Sequence, residues 1–218
     1  MNLVLVPSVV RNPLLSTHLS EEERLEHLCK SIQTILEKIP NPFIVVLNGG
    51  TENAQDNKVL LSKGVNEIFQ YDLVKNNKRL TDPNRSKSYG EMTLFVEFFK
   101  SAFFNDIKPS ITSISKLGGR AYLNDSFVFD DTENCFIRWQ PVSWSGKGNC
   151  CQRYWKAPAS KIDYVIKQYK EMQNRFNEVI DIEHGFYQFN VIPINGISPN
   201  LNEGVTHYVS TYGKWENT

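Results

Sequence analysis

In the segment Ser113-Ile-Ser-Lys-Leu-Gly-Gly-Arg-Ala-Tyr-Leu-Asn-Asp125, a β-branched, strand-like run ends in Lys116, two glycines and Arg120. A second short apolar run then closes on Asn124 and Asp125. Glycines at 118 and 119 permit close backbone approach or positive φ, and they let Lys116 and Arg120 converge on one spot from either side of a turn. The plain alternative is a β-bulge or hairpin whose cations are solvated.

What precedes this segment gives it a setting. Residues 3–10 read as a buried first strand interrupted by Pro7, opening into a loop with Arg11 and Pro13. Ser20-Glu-Glu-Glu23 is a capping box, and Leu25, Leu28, Cys29, Ile32, Ile35, Leu36 and Ile39 continue one helix face. Pro40 and Pro42 stop that helix. Phe43-Ile-Val-Val-Leu47 then reads as a fully buried strand ending in the turn Asn48-Gly-Gly50. A short helix around residues 58–62 leads to a third strand, Glu67-Ile-Phe-Gln-Tyr71, which ends at Asp72. A basic loop over residues 76–87 runs into a second capping box, Ser88-Tyr-Gly-Glu91, followed by Met92, Phe95, Val96 and Phe99.

Strand and helix alternate through residue 125, which predicts an α/β fold with a mainly parallel sheet and helices on both faces. Ligands of such sheets sit beyond the carboxyl ends of the strands. The second half is less regular. Residues 134–139 and 151–155 read as strands around a Gly-rich loop with Trp144, and Ser160-Lys-Ile-Asp163 reads as the cap of a long helix. In that helix Ile162, Val165, Ile166, Tyr169, Met172 and Phe176 share one side, and Ile182-Glu-His-Gly-Phe-Tyr187 follows. One domain over 1–218 is expected, with residues 1–125 as the ligand-binding half and 126–218 as the half that meets a second substrate.

Charge narrows the class of partner. The 24 basic and 24 acidic side chains give a formal net charge of zero, so nothing draws the whole chain to nucleic acid or an anionic membrane. An anion would need a local cluster of cations. The start of the chain has no basic n-region and too few apolar residues for a signal peptide, and no stretch reaches membrane-spanning length, so a cytoplasmic protein is expected. Cys29, Cys135, Cys150 and Cys151 fit no zinc or redox spacing and read as unpaired thiols.

The loops at the strand ends carry Arg11, Asn48, Asp72, Arg85, Lys87, Lys116, Arg120, Asp125 and the pair Asp130-Asp131. Cations concentrated there suit a phosphate or diphosphate, approached closely by glycine backbone N–H groups. A solvated loop would look the same one residue at a time.

Four short motifs add a resemblance: Asn-Arg-Ser-Lys-Ser-Tyr-Gly-Glu91, Ile114-Ser-Lys-Leu-Gly-Gly-Arg-Ala-Tyr122, Cys151-Gln-Arg-Tyr154 and Ile182-Glu-His184. Together they resemble small glycosyltransferase-like proteins of bacterial polysaccharide clusters and large DNA viruses, which usually carry a Lys-x-x-Gly-Arg-Tyr box. The element order is similar to the GT-A fold, a single α/β (Rossmann-like) domain with the nucleotide-sugar over its first half. The resemblance implies transfer of a sugar from a nucleotide-sugar donor to a saccharide acceptor. It implies donor contacts from Ser8, Arg11, Asn48, Asp72, Lys87, Tyr89, Lys116, Gly118, Gly119, Arg120 and Arg153. GT-A strands equivalent to residues 111–117 normally end in an Asp-x-Asp metal motif. Gly118, Gly119 and Arg120 stand there instead, so Lys116 and Arg120 are expected to stabilise the leaving diphosphate directly. Manganese or magnesium would have to be held by Asp125, Asp130 or Asp131. An inverting reaction needs a base, for which Glu183 and His184, then Asp130 and Asp131, are the candidates. The competing expectations are a nucleotidyltransferase acting on a sugar phosphate and a non-catalytic nucleotide- or sugar-binding module.

Overall fold

The computed structural model describes residues 1–11, 19–76, 83–143, 145–179, 181–192, 204–209 and 214–217. Trp144 and the side chain of Arg85 lie outside the described part.

Four parallel strands form the centre of the fold: β1 (Asn2–Ser8), β2 (Pro42–Asn48), β3 (Glu67–Gln70) and β4 (Ser113–Leu117). Helices α1 (Glu21–Lys38), α2 (Ala54–Ser62), α3 (Leu73–Asn76), α4 (Pro83–Lys100) and α5 (Ala102–Ile107) connect them. Two antiparallel strands, β6 (Phe136–Gln140) and β7 (Asn149–Pro158), complete a six-stranded sheet of order β3-β2-β1-β4-β7-β6. The architecture is α/β with a mostly parallel sheet, as the alternation predicts. Chain order reverses between β1 and β4, and that reversal opens a crevice at the carboxyl edge where ligands bind such sheets.

β1 and β2 read as unbroken apolar runs because both of their faces are covered. Leu3, Leu5, Val45 and Leu47 pack with Phe95, Phe98 and Phe99 of α4 and with Tyr169 of α6 (Ile162–Asn174). Val4, Val6, Ile44 and Val46 pack on the opposite face with Leu28, Ile32 and Ile35 of α1. The Ser20 box forms as expected: its Oγ accepts from the Glu23 amide at 3.1 Å, and the Ser20 amide donates to Glu23 Oε2 at 2.7 Å. The four cysteines are free thiols. Among the described residues no helix is long and apolar enough to cross a membrane.

Three features differ from the sequence reading. The helix carrying Ser88 begins at Pro83, so Ser88-Tyr-Gly-Glu91 lies inside α4 and is not its cap; proline at the first helical position marks the real start. The residues read as a cap from Ser160 form a short 3₁₀ turn, Ala159–Lys161, before α6, and Asp163 pairs with Lys108 instead. The second apolar run of the Gly-Gly segment, β5 (Ala121–Leu123), leaves the main sheet. It pairs with β8 (Val205–Val209), which pairs with β9 (Lys214–Asn217), in a small antiparallel sheet lying against α1. Helix α7 (Ile182–Gln188) packs on the opposite face of the main sheet, where Phe186 joins the core around Trp155 and Tyr169.

Candidate anion-binding edge and its carboxylate

At the carboxyl end of β4 the main chain crosses the end of β1. The Gly119 amide donates to Pro7 O at 3.2 Å, and a Cβ on Gly119 would lie 2.8 Å from that same carbonyl and 3.2 Å from Ser8 Oγ. Close approach, not positive φ, is therefore what requires glycine at 119. Gly118 is under no such demand, with nothing nearer than 3.8 Å to an added Cβ. The turn closes where Ala121 N donates to Gly118 O at 2.8 Å, and it sets Arg120 at its outer corner.

The antiparallel strand contributes from the other side. Between the pairs Ile137↔Trp155 and Trp139↔Cys150, β6 supplies only Arg138 where β7 supplies Cys151, Gln152, Arg153 and Tyr154. This bulge brings Gln152 and Arg153 to the β4 end, pinned by the Gly118 amide to Arg153 O at 2.8 Å. Bulges commonly re-aim side chains in this way beside binding sites.

The cations assembled here divide into two kinds. Lys116 is 1% exposed, ion-paired to Glu91 of α4, with its Nζ also 3.4 Å from Gln152 Oε1. Its charge is committed inside the fold. Arg120, Arg153 and Lys87 make no ion pair among the described residues; Lys87 feels Arg120 and Lys116, and Arg120 feels Arg24. The Lys87 ammonium titrates below the ordinary lysine value, through desolvation first and then repulsion from Arg120. Lys87 nevertheless keeps an exposed surface. Burial lowers Arg120 as well, with Glu91 opposing and Arg24 adding to the shift. Arg24 was not singled out in the sequence. It is 8% exposed on α1, its Nε donates to Ser20 O at 3.3 Å, and its Nη1 is buried without a hydrogen-bond partner. In sequence it looked like any helix arginine. Gln152, 8% exposed with an unpartnered Nε2, was equally hidden in an apolar strand.

Next to these cations stands a carboxylate. Glu183, in the first turn of α7, is half-buried; desolvation first, then the neighbouring charges of Asp181 and Glu91, raise its pKa above the ordinary glutamate range. Lys87 feels both Arg120 and Glu183 and so links the cations to the carboxylate.

The remaining expected residues have local roles. Arg11 forks onto Asp56 at 2.8 and 2.9 Å and reaches Glu21 at 2.7 Å. Asn48 bonds Gln70 at 2.8 Å and the Gly50 amide at 3.1 Å, and Asp72 accepts from the Lys75 amide at 2.9 Å. Ser8 lies under Gly119, and the Tyr89 ring lies 5.2 Å from that of Phe176. His184 is 3% exposed and bonded at both ring nitrogens. Asp130 is lowered in pKa first by the Thr132 hydroxyl and then by the Thr132 amide, from which it accepts at 2.9 Å, while Asp131 is exposed and Asp125 meets Lys38 at 3.4 Å. Among the described residues no three His, Cys, Asp or Glu side chains are placed together to hold a metal ion.

No protein-family model matches the sequence, and a search of curated proteins finds no significant match.

Proposed function

We propose that the chain is a glycosyltransferase of GT-A-like architecture that moves a sugar from a nucleotide-sugar to a saccharide acceptor. One observation carries the reading: the buried, incompletely partnered guanidinium of Arg24 beside Arg120 at the carboxyl edge of the sheet. Two arginines with Lys87 and Arg153 around them form an excess of positive charge that a diphosphate would neutralise, with planar forks matched to phosphate oxygens.

In this reading the acceptor hydroxyl gives its proton to the Glu183 carboxylate as its oxygen bonds to the anomeric carbon. The bond from that carbon to the diphosphate oxygen breaks, and the charge left on the nucleoside diphosphate falls to Arg120, Lys87 and Arg153. Lys116, paired with Glu91, holds the helix to the strand beneath this site. Slow release of nucleoside diphosphate without acceptor would distinguish an enzyme from a binding module.

The test is a thermal-shift panel of nucleoside diphosphates, nucleotide-sugars and pyrophosphate on wild type, Arg24→Ala and Arg120→Ala. A ligand at a hundredfold excess over its Kd adds about 2.7 kcal/mol of stability, an easily seen rise in Tm. A nucleotide-dependent rise that both variants lose supports the site. No rise with any nucleotide overturns it.

A further inference from the structure

Helix α7 carries a second arrangement of polar side chains, built on Asp181 and His184. Asp181 caps the helix: its Oδ1 accepts from the His184 amide at 2.9 Å and from His184 Nδ1 at 2.6 Å. In the tautomer that this carboxylate favours, the proton sits on Nδ1 and the lone pair on Nε2. That nitrogen faces the β6–β7 loop, where Ser145 Oγ lies 2.7 Å away and Ser143 Oγ 3.0 Å away. The two hydroxyls are 3.0 Å apart, and the Lys147 amide approaches Ser145 Oγ at 3.3 Å.

Only one hydroxyl can donate well to a single lone pair. With Ser145 closer, Ser145 donates to Nε2, while Ser143 and the Lys147 amide donate to Ser145 Oγ. The oxygen that loses its proton is thereby the one best supplied with donors. Ser145 is partly exposed, followed by Gly146 at φ 75° with open space where a Cβ would stand, whereas His184 is buried. Nucleophile outside, base inside and carboxylate behind is the order in which a serine is activated, whatever the fold or chain order.

We infer that Ser145, His184 and Asp181 form a nucleophilic serine centre that cleaves carboxylic esters. Ser145 Oγ bonds to the ester carbonyl carbon as its proton passes to His184 Nε2. The ester C–O bond then breaks, and the alcohol leaves with that proton. Water repeats the sequence on the acyl-serine and releases the acid, so atoms and charge balance with water as the only co-reactant. This centre stands independently of the glycosyl-transfer reading.

A fluorophosphonate probe reads the nucleophile directly, because serine displaces fluoride only when activated. Intact-mass measurement and peptide mapping of the whole chain should find one adduct, on Ser145. Ser145→Ala should lose it and Ser143→Ala should keep it. Asp181→Asn retains an oxygen for the helix cap and should slow labelling at least tenfold with an unchanged Tm. p-Nitrophenyl acetate turnover should follow the same order. No adduct on folded wild type, an adduct mapped elsewhere, or labelling indifferent to Asp181→Asn would overturn the inference and leave the histidine as a loop anchor.

Discussion

Glu91 of α4 and Lys116 of β4 form an ion pair in which the lysine side chain is 1% exposed and the glutamate side chain 22%. A pair this buried is costly to half-remove, because the survivor is left charged in a poor solvent. Glu91→Ala should destabilise the fold by about 3 kcal/mol in denaturant unfolding. Lys116→Met should cost less, since Glu91 retains access to water. A loss below about 1 kcal/mol for Glu91→Ala would mean that Lys116 finds another partner.

The glycine pair makes a sharper contrast. Gly119→Ala must push the turn off the Pro7 carbonyl, 2.8 Å from the new methyl, and overpacking of this kind costs about 1–3 kcal/mol. It should also displace Arg120 and weaken nucleotide binding. Gly118→Ala meets nothing within 3.8 Å and should leave both Tm and affinity nearly unchanged. Equal effects at the two positions would refute the close-approach account.

Glu183 gives a pH dependence with a definite sign. Its folded-state pKa is raised above the ordinary 4.5, so its contribution to stability is full below 4.5 and is lost as pH rises through the folded value. Urea unfolding of wild type against Glu183→Gln across that range should show the variant relatively more stable on the alkaline side. Transfer should behave oppositely, since the base must be ionised: the rate should climb through the same raised pKa, and Glu183→Gln should abolish that climb. A rate that tracks pH identically in the two proteins would remove Glu183 from the reaction.

His207 of β8 reports on the cations. Burial first, then Arg153, lowers its pKa to about 4. The neutral ring contributes stability above the ordinary 6.5 that is lost as pH falls through about 4. A bound diphosphate would offset Arg153 and raise that pKa, which imidazole NMR titration with and without ligand can measure. An unchanged titration in a protein that binds nucleotide would place the ligand elsewhere.

Arg11 separates structure from binding. Asp56, whose side chain is 7% exposed, would lose both bonds of its fork in Arg11→Ala, at a cost of about 2–4 kcal/mol. Nucleotide affinity of the folded variant should stay close to wild type. A large loss of affinity with little loss of stability would show that the guanidinium turns to the ligand.

Much of this was legible in the chain because the signals were local. Ser20 and Glu23 cap α1 within four residues, and the runs in β1 and β2 are apolar throughout because both faces are covered. Where local chemistry misled, a neighbour had redirected it: the glutamate of the apparent box at Ser88 serves Lys116, and Asp163 serves Lys108. The small sheet was unreadable for a different reason. β5 has three residues, and its partner strand lies some 80 positions further along the chain, so no periodicity announces it. Of the candidate site, Lys87, Arg120, Arg153 and Glu183 could be nominated by residue type. The buried state of Arg24, the bulge that delivers Gln152 and the serine partners of His184 depend on distant pairing.

The turn after β4 also divides labour in a way that bears on how the protein could change over generations. Gly119 is held by the sheet, through Pro7 and Ser8, whereas an added Cβ on Gly118 has room, and Arg120 and Arg153 are tied to neighbouring strands through their backbone carbonyls. Selection for a different ligand could therefore act on residues 118, 120 and 153 while the architecture tolerates only glycine between them. Variation concentrated around one invariant position is the signature to expect among natural variants of this chain.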